Sequence, residues 1–322
     1  MKPVLIISGP TACGKTALAL KLTDFTNKSV EIVNFDSLLF YRELSIGTAK
    51  PSLQEREKIP HHLIDICSIK NPINAADFVS KARQTVNEVH HRGSIPVLVG
   101  GSGFYLRALI KGMSDSYQSD PALSEEIQNE YKKNGITPIR EYLKSFDPQS
   151  YQSLHENDHY RLLRAYEYAR HTGLAFSDQK KKLDEQLPYD FSICQFPDWG
   201  LEHIYLNIEP EEHWPIIKRR TQTMLNAGLI KEVQDLLDQG IDPNLKPLQS
   251  IGYKETIDYL NQGGGSLEDL IEKIHIATRQ LAKSQRTFFQ KIQPKSTFHP
   301  LKDEKKLDSK LRDWFKLIDN KE

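Results

Sequence analysis

Eight residues near the start of the chain, Gly9-Pro10-Thr11-Ala12-Cys13-Gly14-Lys15-Thr16, have the types and spacing to hold a phosphate group. They fit G-x-x-x-x-G-K-[ST] in full. The glycines let successive backbone N–H groups turn inward around an anion, and a helix beginning beside Lys15 adds the positive end of its dipole. Lys15 supplies a point charge, and the Thr16 hydroxyl suits Mg2+. Gly9, Thr11, Ala12, Cys13, Gly14, Lys15 and Thr16 are thus the expected binding set for a di- or triphosphate, with Mg2+ as cofactor. The second reactive group is Asp36. An ordinary ATPase with this loop carries an acid at the end of a neighbouring apolar strand, where it holds the metal. Here the best such strand, Ile95-Pro96-Val97-Leu98-Val99, runs into Gly100-Gly101-Ser102-Gly103, and the acid stands at Asp36 instead. Small-molecule kinases can place a general base there, so group transfer outranks a motor or switch ATPase. Taken alone, Asp36 serves equally well as a cap for the turn at Ser37.

The elements that must position these residues follow from apolar patterning. Val4–Ser8, Val30–Phe35, Ile95–Val99 and His203–Ile208 read as strands. Ala17–Asp24, Ala75–His91, Leu106–Ile110, Pro215–Ala227, Leu229–Gln239 and Leu267–Ile292 read as helices. Short apolar strands alternating with helices indicate a parallel sheet. From about Met113 to Trp199 the chain is polar and helical in period. The expected fold class is α/β: a P-loop NTPase-like parallel sheet flanked by helices, with an inserted all-helical subdomain. Residues 1–113 and 200–295 would form the core and 114–199 the insertion. Residues 296–322 would be a tail whose Leu307, Leu311, Trp314 and Leu317 mark a docking helix.

Basic and acidic residues balance at 43 each, so only local clusters could speak for a nucleic-acid partner. Arg279, Lys283 and Arg286 share a face of the last long helix, and Arg161 and Arg164 are helical neighbours. The run Lys180-Lys181-Lys182 reads as a solvated face, and His61 and His62 as structural. Phe104 and Tyr105 read as core or channel wall rather than base-stacking platforms. The three cysteines, Cys13, Cys67 and Cys194, have no metal-like spacing and point to a reducing compartment. No run approaches the roughly 18 apolar residues that span a membrane. A cytoplasmic protein without a membrane partner is expected.

Several further stretches, taken with the glycine loop, resemble the tRNA dimethylallyltransferase (isopentenyltransferase) family. They are Asp36-Ser37 with Tyr41-Arg42 and Ile46-Gly47-Thr48-Ala49-Lys50-Pro51; His61-His62-Leu63-Ile64-Asp65; and Val99-Gly100-Gly101-Ser102-Gly103-Phe104-Tyr105-Leu106. Asn157-Asp158 with Arg161 and Arg164, Ile251-Gly252-Tyr253-Lys254-Glu255, and Ala277-Thr278-Arg279-Gln280-Leu281-Ala282-Lys283 complete the set. They keep the family's order from Gly9 to about Phe289. A monomer is expected, and the resemblance implies dimethylallyl diphosphate as donor, its diphosphate held by the loop amides, Lys15, Thr16-bound Mg2+ and Arg220. It implies an adenine beside the anticodon of tRNA as acceptor, extruded from its stack so that its amine can be reached. That amine is a poor nucleophile, and the resemblance makes Asp36 the base that takes its proton. Thr11, Ser37 and Ser102 would line the channel, with Leu38 and Leu39 on the acceptor side. Arg161, Arg164, Gln249, Ser250, Gly252, Tyr253, Lys254, Arg279 and Lys283 would grip the anticodon stem-loop. The chain departs from the family at Leu38 and Leu39, at Ser102 where threonine is usual, at Ile216 where arginine is common, and at Ser284 where a basic residue is usual. Transfer to free adenine nucleotides, a small-molecule kinase and a non-catalytic RNA binder are the alternatives.

Overall fold

The apolar runs read from the sequence become strands of one parallel sheet in the computed structural model, which describes residues 1–112, 120–185 and 187–320. The strands are β1 (Lys2–Ser8), β2 (Val30–Asn34), β3 (His61–His62), β4 (Ile95–Gly100), β5 (Trp199–Leu206) and β6 (Ser296–Phe298), in the order β3-β2-β4-β1-β5-β6. Along β1 the pleat alternates. Val4 and Ile6 join Phe35, Leu98 and Leu109 on one face. Leu5 and Ile7 join Ile32, Val97 and Leu311 on the other. Both faces are covered, as parallel sheets require.

Helices α1 (Lys15–Leu20), α2 (Leu53–Lys58) and α3 (Ala75–His91) connect the first four strands, and α4 (Gly103–Lys111) follows β4. After β5 come α10 (Pro210–Asn226), α11 (Leu229–Asp238), α12 (Tyr253–Asn261) and α13 (Leu267–Lys291), and after β6 comes α14 (Glu304–Asp319). α10 begins five residues before the expected Pro215. Pro210 is pre-set for a first turn that lacks a partner for its N–H, and Glu211 and Glu212 favour the helix dipole, so the true start outcompetes the second proline. A third cluster, with Leu229, Val233, Tyr253, Ile257 and Ile274, packs α11 to α13 together.

The chain forms two compact units, Met1–Gly112 with Tyr189–Glu322 and, separately, Met113–Pro188. The expected start of the insertion, at 114, lies outside the described residues. Its expected end, at 199, comes too late: Tyr189, Phe191 and Trp199 pack into the sheet's core, and Trp199 opens β5. Residues 296–322 dock through a helix, as expected, and also add a strand. β6 pairs with β5 through Ile204 and Ser296, and Leu307, Leu311 and Phe315 are buried beneath the sheet, while Leu317 is exposed. The helical unit holds α5 (Pro121–Asn134), α6 (Thr137–Phe146), α7 (Pro148–Ser153), α8 (His159–Thr172) and α9 (Phe176–Glu185) around Ile127, Ile139, Leu143 and Leu162.

Candidate active site

The carboxyl ends of β1, β2 and β4 bring the reactive residues together. β1 delivers the loop Gly9–Gly14, β2 delivers Asp36 and β4 delivers the turn Gly101–Gly103. The chain leaves β1 toward β2 and leaves β4 toward β5 on the other side, so the crevice between β1 and β4 is a switch point, where open α/β sheets bind ligands.

Close packing dictates the first glycine of the loop and backbone conformation the second. A Cβ on Gly9 would lie 2.5 Å from the Leu206 carbonyl oxygen and 2.6 Å from the Cys13 sulfur. Gly14, at φ +90°, leads into α1, and Ala12 adopts a left-handed φ of 62° without being glycine. Such a conformation persists only where surrounding structure enforces it. Lys15 Nζ donates to the carbonyls of Gly9 (3.0 Å) and Pro10 (2.8 Å), which holds the ammonium over the loop.

Gln285 and His213, which sequence reasoning missed, and Arg286, which it placed on a basic face, brace this loop. Gln285 of α13 accepts from the Thr11 amide at 2.8 Å and donates to the Gly101 carbonyl at 3.0 Å. His213 of α10 bonds the Thr11 carbonyl through Nε2 at 2.9 Å, and Arg286 donates to its Nδ1 at 3.0 Å. A guanidinium can only donate, so Nδ1 accepts and the Nε2 proton points at Thr11. Burial, then the charge of Arg286, pushes His213 down to about 4. This neutral imidazole therefore locks the backbone at Thr11. No local pattern signals partners this remote, although His213 and Arg286 are fully or almost fully buried, as polar groups with a fixed task often are.

Asp36 takes the capping role weighed from the sequence, and its place at the cavity is what a base would need. It caps the 3-10 turn Ser37–Phe40, accepting from the Leu38 amide at 3.3 Å, and it lines the same cavity as Lys15 and Thr16. Its backbone is gripped by Asn34, which accepts from the Asp36 amide at 2.9 Å and donates to the Asp36 carbonyl at 3.0 Å. Ser102 Oγ accepts from the Ser37 amide at 3.2 Å, tying the β4 turn to the β2 turn. The cavity measures about 260 Å³, and Arg220 forms part of its wall, donating to the Thr48 carbonyl at 3.4 Å. Burial lowers the Arg220 guanidinium from its ordinary value and the Asp36 carboxylate opposes that, so Arg220 stays charged. Leu39, Ile64, Val99 and Ile216 give the wall an apolar stretch, beside the polar Asn34, Thr48 and His61. At Ile216 the cradle thus has a hydrocarbon surface instead of a further cation. A second cavity, about 380 Å³, lies at the opposite, amino ends of β1 and β5 beside Lys2 and Trp199 and holds none of the expected residues.

The amino-acid sequence matches the model of the IPP transferase family over residues 39–292. The chain belongs to the IPP transferase family. It is 40% identical to tRNA dimethylallyltransferase 1 of Trichlorobacter lovleyi, over 90% of this chain and 91% of that one. It is 34% identical to the tRNA dimethylallyltransferase of Lactobacillus acidophilus, over 98% and 99%. Among solved structures it is similar to the tRNA isopentenylpyrophosphate transferase of Bacillus halodurans (TM-score 0.67, 30% identity, 98% and 95% coverage). A eukaryotic dimethylallyltransferase acting on tRNA also matches (TM-score 0.72, 28% identity, 89% and 70%).

Other residues expected at the acceptor side of this IPP transferase are more scattered. Leu39 lines the cavity that holds Lys15 and Asp36. Tyr253 is fully buried, and its hydroxyl donates to Glu232 at 2.5 Å, whose carboxylate also takes the amides of Ser45, Ile46 and Gly47. Its phenol is held protonated well above the usual tyrosine range by burial and by Glu232. Tyr253 is thus a pillar of the 45–47 loop and not an RNA contact. Gly252 is buried beside it, while Lys254 is exposed. Gln249 and Ser250 bond locally, to the carbonyls of Pro243 and Pro247. Arg279 stacks over Trp214 at 3.7 Å from the ring centroid, and Lys283 is exposed. Arg286 leaves the basic face expected of it and turns inward to His213. In the helical unit Arg161 pairs with Asp158, and Arg164 with Glu167 at 2.6 Å.

Proposed function

We infer that the protein transfers a dimethylallyl group from dimethylallyl diphosphate to the N6 amine of the adenosine 3′ of a tRNA anticodon. The observation that carries this reading is a single cavity holding an anion-binding loop, Lys15, Arg220 and a carboxylate, Asp36, beside an apolar wall. An ATPase needs no such wall, whereas a five-carbon chain does.

The chemistry follows from the placement. The loop amides, Lys15 and Arg220 stabilise the charge that grows on the departing diphosphate as its C1–O bond breaks. The adenine nitrogen forms the new bond to C1, and its proton passes to Asp36. Leu39, Ile64 and Ile216 exclude water from the carbon chain, which would otherwise be hydrolysed. Thr16, at the start of α1, can give its hydroxyl to Mg2+. Bound there, the ion would supply further neutralisation of the leaving group. Arg161 and Arg164 of the helical unit, with exposed Lys254 and Lys283, are the side chains offered to RNA phosphates. The proposed compartment is the cytoplasm, on three cysteines without metal-like spacing. Among the described residues no helix is long and apolar enough to cross a membrane.

The test is incubation with Mg2+, dimethylallyl diphosphate and unmodified tRNA, followed by mass spectrometry of the digested nucleosides. Adenosine gaining one five-carbon unit next to the anticodon is the expected result. Prenylation of free AMP but not tRNA would move the acceptor to nucleotides, and no product on either would overturn the reading.

A further inference from the structure

Beyond the Ser102 turn lies a patch of aromatic rings and cations that neither the donor cavity nor the base uses. α4 begins at Gly103, so Phe104 and Arg107 project from its first two turns. Phe104 is 50% exposed, whereas its neighbour Tyr105 packs edge-on against Phe40 and Phe78 in the core. Of the two places expected for these rings, core or channel wall, Tyr105 takes the core and Phe104 does not. The Arg107 guanidinium lies 5.8 Å from the centroid of Phe104, 5.6 Å from Tyr189 and 5.7 Å from Phe288. It also donates to the Tyr189 hydroxyl at 3.4 Å. Lys291 Nζ sits 5.4 Å from the Tyr189 ring. The Phe288 ring fills the space a Gly103 side chain would need, which fixes α4 against α13.

Two features say what this patch would hold. Among the described residues neither Arg107 nor Lys291 has a carboxylate within ion-pair distance, while Arg170 and Lys218 elsewhere do. Positive charge left uncompensated beside an exposed ring suits an anion that carries a flat apolar body, which describes a nucleotide of single-stranded RNA. Bases stack on aromatic and guanidinium faces without regard to sequence, and free cations meet the phosphates. The second feature is position. Phe104 follows Ser102 by two residues, at most about 7 Å along the backbone, and Ser102 is bonded to Ser37 beside Asp36. Extruding an adenine toward Asp36 strips its neighbour of a stacking partner, and that neighbour then needs a surface within one nucleotide's reach.

We propose that Phe104, held by Arg107, is the stacking platform for the nucleobase flanking the adenine that enters the site. The role rests on the transfer reaction inferred above and adds to it a specific acceptor contact. Because three rings already hold the guanidinium in place, little side-chain freedom is lost when the base arrives.

The experiment compares wild type with Phe104→Ala, Phe104→Leu and Phe104→Tyr, on unmodified tRNA and on tRNA carrying 2-aminopurine beside the acceptor adenosine. Alanine and leucine are expected to raise KM for tRNA on the order of 5- to 100-fold, the range of a lost base–aromatic stack. KM for dimethylallyl diphosphate should move by less than about twofold, as expected of a residue remote from the donor. Tyrosine should restore tRNA binding, and 2-aminopurine should be quenched by wild type and the tyrosine variant only. Unchanged tRNA KM in the alanine and leucine variants would overturn the platform, as would a tyrosine variant as impaired as alanine. If wild type does not prenylate tRNA, the transfer reading fails. Quenching that vanishes in Phe104→Ala would then still support the platform, and quenching that persists would overturn it.

Discussion

Asn34→Leu separates the positioning of the base from the base itself. Asn34 closes β2 and is 3% exposed. Its amide nitrogen donates to the carbonyls of Asp36 and Leu63, both at 3.0 Å, and its oxygen accepts from the Asp36 amide at 2.9 Å. Leucine keeps the size and removes all three bonds, leaving one N–H and two carbonyls without these partners. At about 0.5–1.5 kcal/mol net for each bond, the variant should lose about 2–4 kcal/mol of stability. For a unit of this size that is roughly 5–10 °C in Tm. The chemical effect is distinct. Asn34 fixes Asp36 at both its N–H and its C=O, and a displacement of about 1 Å at a reacting group can cost on the order of 100-fold in rate. We therefore expect kcat to fall about 100-fold while KM for dimethylallyl diphosphate stays near wild type, because Lys15 and Arg220 stand on other elements. Single-turnover prenylation at saturating tRNA, with thermal melts and calorimetric titration of the donor, measures each quantity separately. A variant that melts early yet turns over at nearly the wild-type rate would refute the positioning role and reduce Asn34 to packing.

Three further outcomes are expected. Asp36→Asn should lower turnover by ~10²–10⁴-fold with donor affinity nearly intact, as loss of a general base does; near-normal turnover in the same assay removes Asp36 from the mechanism. Tyr253→Phe should cost about 1–3 kcal/mol by denaturant unfolding, since it deprives Glu232 of a buried donor, while leaving KM for tRNA unchanged. A tRNA-specific loss would return Tyr253 to the RNA-binding surface. Stability should also decline in acid. Burial holds His213 down to about 4 and His203 to about 3, both below the ordinary 6.5. The unfolded chain accepts protons that these neutral rings refuse, so stability is fully present above pH 6.5 and falls as pH drops toward those values, at up to ~1.4 kcal/mol per unit for each ring. Unfolding titrations between pH 7.5 and 5 should show this slope, and His213→Gln should flatten it; equal slopes in the two proteins would contradict it.

What could be read from residues alone was local. The loop at Gly9–Thr16 lies between an apolar strand and a helix, and each of its residues acts through its own backbone or side chain, so the motif is visible without a fold. Asp36 was visible as an acid out of its usual place. β3 and β6 were not, because strands of two and three residues carry no period; pairing with longer neighbours creates them. Arg286 was misread as part of a basic face although the contrary signal was present. It follows Ala282 by four residues and precedes Phe289 by three, and all three are buried on one side of α13. Charge outweighed periodicity in that reading, and periodicity was right. Tyr253 presents the same case on α12, where Thr256 and Ile257 share its buried side. The braces His213 and Gln285 lie 202 and 274 positions from Thr11, beyond any local pattern.

Gln285 makes the site's dimensions a property of the far end of the chain. One end of its amide holds the loop after β1 and the other holds the turn after β4, so the spacing of these two turns is set by one carboxamide group and its two hydrogen bonds. A fragment ending near Gly112 would contain the entire phosphate motif, Asp36 and Ser102, and yet lack the spacer that sets them apart. During synthesis the same holds: the nascent chain carries its most recognisable motif from the outset, but the motif acquires its working shape only after α13 has been made and folded back.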